Sequence, residues 1–149
     1  MLSQSRKFVI TILFASSAAL VAACSSNSSE GLRAYPKAMG AADEAFAIQA
    51  LRTIATAQTQ SKVTRGSYGD FNALTQAGLL DQRFASAAPN LKGYSFTMRA
   101  SESDFSVTAN PQTTDSQPTT GSRHFYLDSS DNAIHVNASQ AATKRDPVL

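Results

Sequence analysis

Apolar side chains recur at helical spacing over one long stretch in the first half of the chain. No Gly or Pro interrupts residues 41–64, and Asp43 and Glu44 suit the positive end of a helix that begins near Ala41. The inward stripe of this helix consists of Ala47, Ala50, Leu51, Ile54, Ala57 and Gln58. Because the stripe is narrow and rich in alanine, it predicts a helix of about 20 residues packed closely against a sheet.

Glycines mark the end of this helix and the end of a second, shorter one. The run Arg65-Gly66-Ser67-Tyr68-Gly69 breaks the first helix. Asp70 is placed to cap the second helix, and Gly78 is placed to end it. The predicted inner face of the short helix consists of Phe71, Leu74 and Ala77. Leu79 and Leu80 then return the chain to the core, and a short irregular link follows.

Beyond residue 90 the period of the apolar pattern changes to two, which is the period of a half-buried strand. The inward positions of the first two predicted strands are Tyr94, Phe96, Met98, Phe105, Val107 and Ala109. Two more strands are predicted at 124–127 and 133–136, joined by a turn rich in Asp, Ser and Asn. The Thr-, Gln- and Pro-rich stretch 110–122 is predicted to be a surface loop, a place where recognition often resides.

The order of these elements predicts the fold class and the organisation of the chain. Residues 41–136 are expected to form an α+β domain, with one long and one short helix packed on a four-stranded antiparallel meander. Residues 24–40 are expected to form a polar tether, punctuated by Pro36 and Gly40. Residues 137–149 contain few core formers and are expected to be a flexible tail.

The first 23 residues form a separate segment with a positive start and an apolar continuation. Arg6 and Lys7 precede an uncharged stretch of 16 residues, Phe8 to Ala23. A membrane-spanning helix requires about 20 apolar residues, so this length suits an export signal better. The run Leu20-Val21-Ala22-Ala23-Cys24 resembles the lipobox of bacterial lipoprotein precursors.

The lipobox resemblance implies that the chain is cleaved before Cys24 and that Cys24 carries diacylglycerol and acyl (palmitate) chains. A thiolate is the nucleophile that this modification requires, and two or three acyl chains suffice for a stable membrane anchor. Ser25 in place of an Asp favours the outer membrane by the same resemblance. An ordinary secretory signal with an incidental cysteine and a retained transmembrane anchor are the two alternatives.

Charge and cysteine content narrow the classes of function. Arg6 and Lys7 account for the whole formal surplus of +2, and the rest of the chain is balanced. A nucleic-acid-binding protein needs a basic surplus on one face, so no nucleic-acid partner is expected. Cys24 is the only cysteine, which excludes an intramolecular disulfide and a cysteine-based metal site.

Several segments, taken in order, resemble the globular head of type IV pilins and type II secretion pseudopilins. They are AIQALRTIATAQTQ at 47–60, GSYG at 66–69, FNALTQAG at 71–78, GYSF at 93–96, FSVTA at 105–109 and GSRHFY at 121–126. The resemblance implies a pilin-like head and a non-enzymatic envelope protein that acts through protein–protein contacts. The chain departs from pilins in lacking their hydrophobic N-terminal helix, since its only long apolar run precedes Cys24.

One hairpin turn and two histidines are the candidates for chemistry. Asp128, Asp131 and Asn132 offer oxygen ligands of the kind that calcium prefers, and some pseudopilins hold calcium in a sheet loop. Tight turns prefer the same residue types, so a structural role competes with a calcium-binding one. His124 and His135 accompany no Gly-x-Ser-x-Gly elbow, and His135 is predicted to face solvent, so no enzyme is expected. The alternative function is a small-ligand, glycan or calcium-binding envelope module.

Overall fold

The computed structural model describes residues 28–112 and 121–149, with side chains described from residue 38 onward. Within these residues the fold is α+β, as predicted, with a long helix and one antiparallel sheet of five strands. The elements are α1 (Ser28–Arg65), α2 (Phe71–Gln76), a 3₁₀ turn (Gln82–Phe84), β1 (Asn90–Leu91), β2 (Tyr94–Ala100), β3 (Phe105–Pro111), β4 (His124–Asp128) and β5 (Ile134–Asn137).

The strands form a meander in which each pairs with the next along the chain. The order is β1-β2-β3-β4-β5, and all four pairings are antiparallel. The register places Phe96 opposite Ala109, and Leu127 opposite both Val107 and Ile134. These inward residues face α1, so the alternation in the sequence correctly predicts which side of the sheet is buried.

The fifth strand is the first difference from the predicted fold. β1 is two residues long and pairs Asn90 with Ser95 and Leu91 with Tyr94. Lys92 and Gly93 connect it to β2 with φ angles of 48° and 72°. Two central residues with positive φ make the tight hairpin turn that suits the twist of paired strands. A two-residue strand is too short to show an alternating pattern, so the sequence predicts no strand before Tyr94.

The long helix is the second difference, because it begins well before Ala41. It starts at Ser28 and spans 38 residues, or about 57 Å at 1.5 Å per residue. The expected punctuation at Pro36 and Gly40 is wrong, since both lie within α1. Proline and glycine weaken a helix without always ending it, and the adjoining Lys-Ala-Met and Ala-Ala residues are good helix formers.

The core lies between the second half of α1 and the inner face of the sheet. Ala47, Leu51 and Ile54 are fully buried, as the helical spacing predicts. Phe84, from the segment expected to be irregular, joins the core and contacts Phe71 and Phe96 with ring centroids 6.0 and 6.1 Å apart. On α2 the buried residues are Phe71, Leu74 and Thr75, whereas Ala77 is exposed and caps the helix.

Two buried polar side chains of α1 hold the segment that follows it. The Gln58 amide donates to the Gly69 carbonyl at 2.7 Å and accepts from the Gly69 N–H at 3.0 Å. The Ser61 hydroxyl donates to the Ser67 carbonyl at 2.9 Å. Both side chains are fully buried. Their bonds satisfy the backbone groups of Ser67 and Gly69, which lie in the connection between α1 and α2. Asp70 then caps α2 by accepting from the Ala73 N–H at 2.7 Å, as predicted.

Residues 138–149, which we call the C-terminal strap, are the third difference. They were expected to be a flexible tail, yet they return alongside β5. The Val136 N–H donates to the Pro147 carbonyl at 2.9 Å, and the Leu149 N–H donates to the Ile134 carbonyl at 2.8 Å. Ala142 is buried as well. The strap therefore acts as a short extra partner for the last strand. The segment has no alternating apolar pattern of strand length that would predict this role.

Among the residues that the structure describes, no helix is long and apolar enough to cross a membrane.

Candidate functional site

The face of the sheet that α1 does not cover is entirely polar. Because alternate residues of paired strands point to the same side, three rows of side chains cross this face. One row is Ser95, Asn110, His124 and Asn137, the next is Thr97, Thr108, Tyr126 and His135, and the third is Arg99, Ser106 and Asp128. Both histidines and the first aspartate of the predicted calcium turn therefore lie on one surface.

Asp128 begins the β4–β5 turn and is buried. One of its carboxylate oxygens accepts from the Ser130 N–H at 2.9 Å and from the Ser130 hydroxyl. The other accepts from the Tyr126 hydroxyl at 2.9 Å. Burial alone would raise the pKa of Asp128, but these hydrogen bonds outweigh it and hold the pKa below its ordinary value. The ionised carboxylate thus organises the turn.

Asp131 and Asn132 complete the turn in the same way. Asp131 accepts from the Ala133 N–H at 3.0 Å and from the His135 ring at 3.0 Å, and these partners lower the pKa of Asp131. Asn132 occupies the left-handed region with a φ of 55°, which asparagine tolerates better than most residues. No group of three or more His, Cys, Asp or Glu able to hold a metal ion occurs in the described part of the chain. This geometry is that of a turn held by its own donors.

His135 is buried, and the prediction that it faces solvent is wrong. Alternation correctly directs the ring away from α1, but the C-terminal strap folds over that side of β5. The ring is 4% exposed, with Nδ1 2.7 Å from the Asp146 carbonyl oxygen and Nε2 3.0 Å from Asp131 Oδ2. Both ring nitrogens are therefore engaged, and neither offers a lone pair to a reacting group.

The remaining candidates for acid–base chemistry are also engaged within the protein. His124 Nδ1 lies 2.8 Å from Asn110 Oδ1, and burial lowers the pKa of His124. Ser130 lies near Asp131 and His135 in the turn, but its hydroxyl donates to Asp128 and accepts from the Lys144 ammonium. A serine nucleophile needs a base facing its hydroxyl, and here a carboxylate and a cation occupy that position.

The C-terminal end of the loop at 110–122 is held to α1 by hydrogen bonds. The Glu44 carboxylate on α1 accepts from the N–H groups of Ser122 and Arg123 at 2.9 and 3.3 Å and from Arg123 Nε at 2.8 Å. Burial opposes the ionised form, yet these partners lower the pKa of Glu44. A side chain at Gly121 would overlap Glu44 and Tyr94, so the loop passes too close to the helix for any other residue.

A groove of about 580 Å³ lies between α1 and the edge formed by β5 and the strap. Apolar and polar side chains both line the groove. The lining includes Leu127, Ala133, Ile134, Val148, Arg52, Thr56, Thr59 and Asn132. This volume is within the range of small-ligand sites. Apolar spacing along the chain does not predict the groove, because the strap, expected to be flexible, supplies one of its walls.

Cys24, the predicted site of lipid attachment, lies outside the described residues, as do residues 113–120 of the predicted recognition loop. A comparison with models of protein families, with curated proteins and with solved structures finds no match to this chain.

Proposed function

We propose that the protein is a lipid-anchored, non-enzymatic component of the bacterial cell envelope whose pilin-like head acts through protein–protein contacts. The observation that carries this proposal is the run Leu20-Val21-Ala22-Ala23-Cys24 at the end of an export-type apolar segment. Acyl chains on Cys24 would hold the domain to a membrane, with the outer membrane favoured by Ser25. The anchor would thereby replace the hydrophobic N-terminal helix of pilins.

The position of α1 supports this arrangement. Its first residue, Ser28, follows Cys24 by only four positions. An anchored chain would therefore rise from the membrane as a helix of about 57 Å, with the sheet packed on its distal half. A head carried on a helical stalk suits contact with other envelope proteins better than a domain held flat against the lipid.

The membrane-proximal part of the described helix supports a role in protein contact. Ala38, Met39, Ala42 and Ala45 are all exposed there, and Met39 retains 39% of its accessible surface. Small side chains on a helix allow a second helix or strand to approach closely. In this proposal that stretch is one contact surface, and the partner is a further envelope protein.

Replacement of Cys24 by Ala tests the anchor. In cells of a Gram-negative host, the parent chain is expected in the membrane fraction and labelled by an alkyne analogue of palmitate. The Cys24→Ala chain is expected to incorporate no label and, once its signal is removed, to appear in the soluble fraction. Ser25→Ala is the matched control and keeps both properties. A processed Cys24→Ala chain that remains in the membrane fraction would contradict the proposal.

A second candidate function, binding of a small amphiphile, is favoured by the groove beside α1. The lining of the groove includes two buried apolar side chains, Leu127 and Ile134, and an exposed arginine, Arg52. These features suit a ligand with an aliphatic chain and a carboxylate. Within the envelope-module alternative, the groove favours this ligand class over a calcium ion.

Decanoate is a probe for that groove. Millimolar decanoate is expected to raise the thermal midpoint of the parent chain, because a ligand that binds only the folded state stabilises it. Thr56→Trp would fill the groove and abolish the rise. Thr53→Trp is the matched control, since Thr53 is exposed on the same helix but lies outside the groove lining. An unchanged midpoint in the parent chain, or an equal rise in Thr56→Trp, would exclude this function.

A further inference from the structure

A few hydrogen bonds join the C-terminal strap to β5 and the β4–β5 turn, and Asp146 takes part in two of them. Asp146 presents its backbone carbonyl to His135, while its side chain accepts from the Asn137 amide at 2.7 Å and from the Thr143 N–H at 2.7 Å. After Asp146, the strap makes two backbone hydrogen bonds with β5 through Pro147 and Leu149, and before it Lys144 donates to the Ser130 hydroxyl. The contact between His135 and Asp146 therefore lies between these two attachments.

The two partners of His135 determine its protonation. A backbone carbonyl oxygen only accepts hydrogen bonds, and so does an ionised carboxylate. Nδ1 faces the Asp146 carbonyl at 2.7 Å and Nε2 faces Asp131 Oδ2 at 3.0 Å. Both contacts are hydrogen bonds only when both nitrogens carry a proton, so the geometry is that of an imidazolium cation. In a neutral ring the one remaining proton is best placed on Nε2, because the ionised Asp131 is a stronger acceptor than a carbonyl. The Nδ1 lone pair then faces the lone pairs of the Asp146 carbonyl oxygen, and the bond that holds the strap is lost.

We propose that the strap is a proton-dependent cover of the β5 edge: doubly protonated His135 holds it in place, and loss of that proton releases residues 138–149. Release would free the Val136 N–H and the Ile134 carbonyl, both of which now pair with the strap. Such unpaired groups at a sheet edge are where an extended segment of another chain can add a strand. It would also remove Val148 and Leu149 from the wall of the groove.

The charges around the ring favour the cation. Asp131 lies on the turn, Asp128 stands on β4, and the Tyr126 ring packs 6.2 Å from the His135 ring. Lys144 of the strap donates from its ammonium to the Ser130 hydroxyl. The hydrogen bond to Asp146 raises the pKa of His135 above its ordinary value, burial opposes this, and Asp131 and Asp128 add to it.

The direction of the pH effect follows from the raised pKa of His135. A raised pKa in the folded state means that the stabilisation is complete below the ordinary histidine pKa of about 6.5. It is lost as the pH rises through the raised value. The pKa values of Asp131 and Asp146 are lowered by their hydrogen bonds, so those carboxylates lose their contribution only in acid. The strap is therefore held at mildly acidic pH and released toward alkaline pH.

Amide hydrogen exchange on the full-length chain in detergent micelles tests this switch. The reporter is the Val136 N–H, which the strap protects, and the reference is the Val107 N–H at the centre of the sheet. Protection is expressed relative to the intrinsic exchange rate at each pH. The Val136 protection factor is expected to fall by up to about tenfold per pH unit between the ordinary histidine pKa of about 6.5 and the raised pKa of His135, and to level off above it, while that of Val107 stays constant. The His135 ring signals, followed in the same samples, are expected to titrate above pH 6.5.

Three variants separate the switch from general instability. Asp131→Asn is expected to lower the pKa of His135 and to move the loss of Val136 protection to lower pH by the same amount. His135→Gln is expected to leave Val136 poorly protected at every pH. His124→Gln, the matched control on the same face, should behave like the parent chain. The proposal is overturned if Val136 protection in the parent chain does not change as His135 titrates, or if His135 titrates at or below the ordinary pKa. The parent chain and Asp131→Asn decide the matter even if His135→Gln does not fold.

Discussion

A single buried amide, Gln58, joins the long helix to the segment that leads into α2. Its two hydrogen bonds with Gly69 reproduce the pairing that a neighbouring strand would offer to that residue. The side chain is fully buried, so water cannot replace either bond. Gln58 therefore fixes the path of the chain after the helix breaks, and the position of α2 depends on it.

Replacement of Gln58 by Leu is expected to lower the free energy of unfolding by about 2–4 kcal/mol, because two buried backbone groups of Gly69 lose their partners. Urea denaturation followed by circular dichroism measures this change. Gln49→Leu is the control: Gln49 is exposed on the same helix, and a surface substitution of this kind changes stability by about 0.5 kcal/mol or less. Equal losses in the two variants would show that the contact with Gly69 is unimportant.

Single residues also show what the pattern of the sequence could and could not predict. Spacing alone correctly places Gln58 on the inner stripe, but its partner, 11 residues away, is set by how the chain returns after Gly66. For His135, alternation gives the correct side of the strand and the wrong exposure. The cover over His135 comes from Asp146 and its neighbours, a segment too short to show a helical or strand period that would predict packing.

At the scale of elements, long patterns are reliable and short ones are not. The helical stripe and the alternating strands follow from apolar spacing, because burial of one face repeats over several residues. β1 has only two residues, and its position depends on the positive φ angles of Lys92 and Gly93. The start of α1 was misplaced because Pro36 and Gly40 weaken a helix without ending it in this context.

The C-terminal strap shows the same limit for a longer segment. It is held to β5 by hydrogen bonds of Asp146 with His135 and Asn137 and of the Pro147 and Leu149 backbone. Such bonds follow from the position of β5 and cannot be read from local periodicity. The groove beside α1 depends on the strap for one wall. The sequence pattern therefore could not predict the groove either.

At the scale of the whole molecule, the fold and the N-terminal sequence make separate contributions to the proposed function. The α+β architecture supplies a helix of 38 residues with a sheet on its distal half. The lipobox-like run supplies an anchoring point four residues before that helix. The described carboxylates of the β4–β5 turn and both histidines have hydrogen-bond partners within the protein, which is why the proposal rests on contact and not on catalysis.

The most direct test of lipid anchoring is the mass of the N-terminal peptide of the protein extracted from membranes. The account predicts that this peptide begins at Cys24, that residues 1–23 are absent, and that Cys24 carries the added mass of a diacylglyceryl group and further acyl chains. An N-terminal peptide that retains residues 1–23, or one in which Cys24 is unmodified, would contradict it.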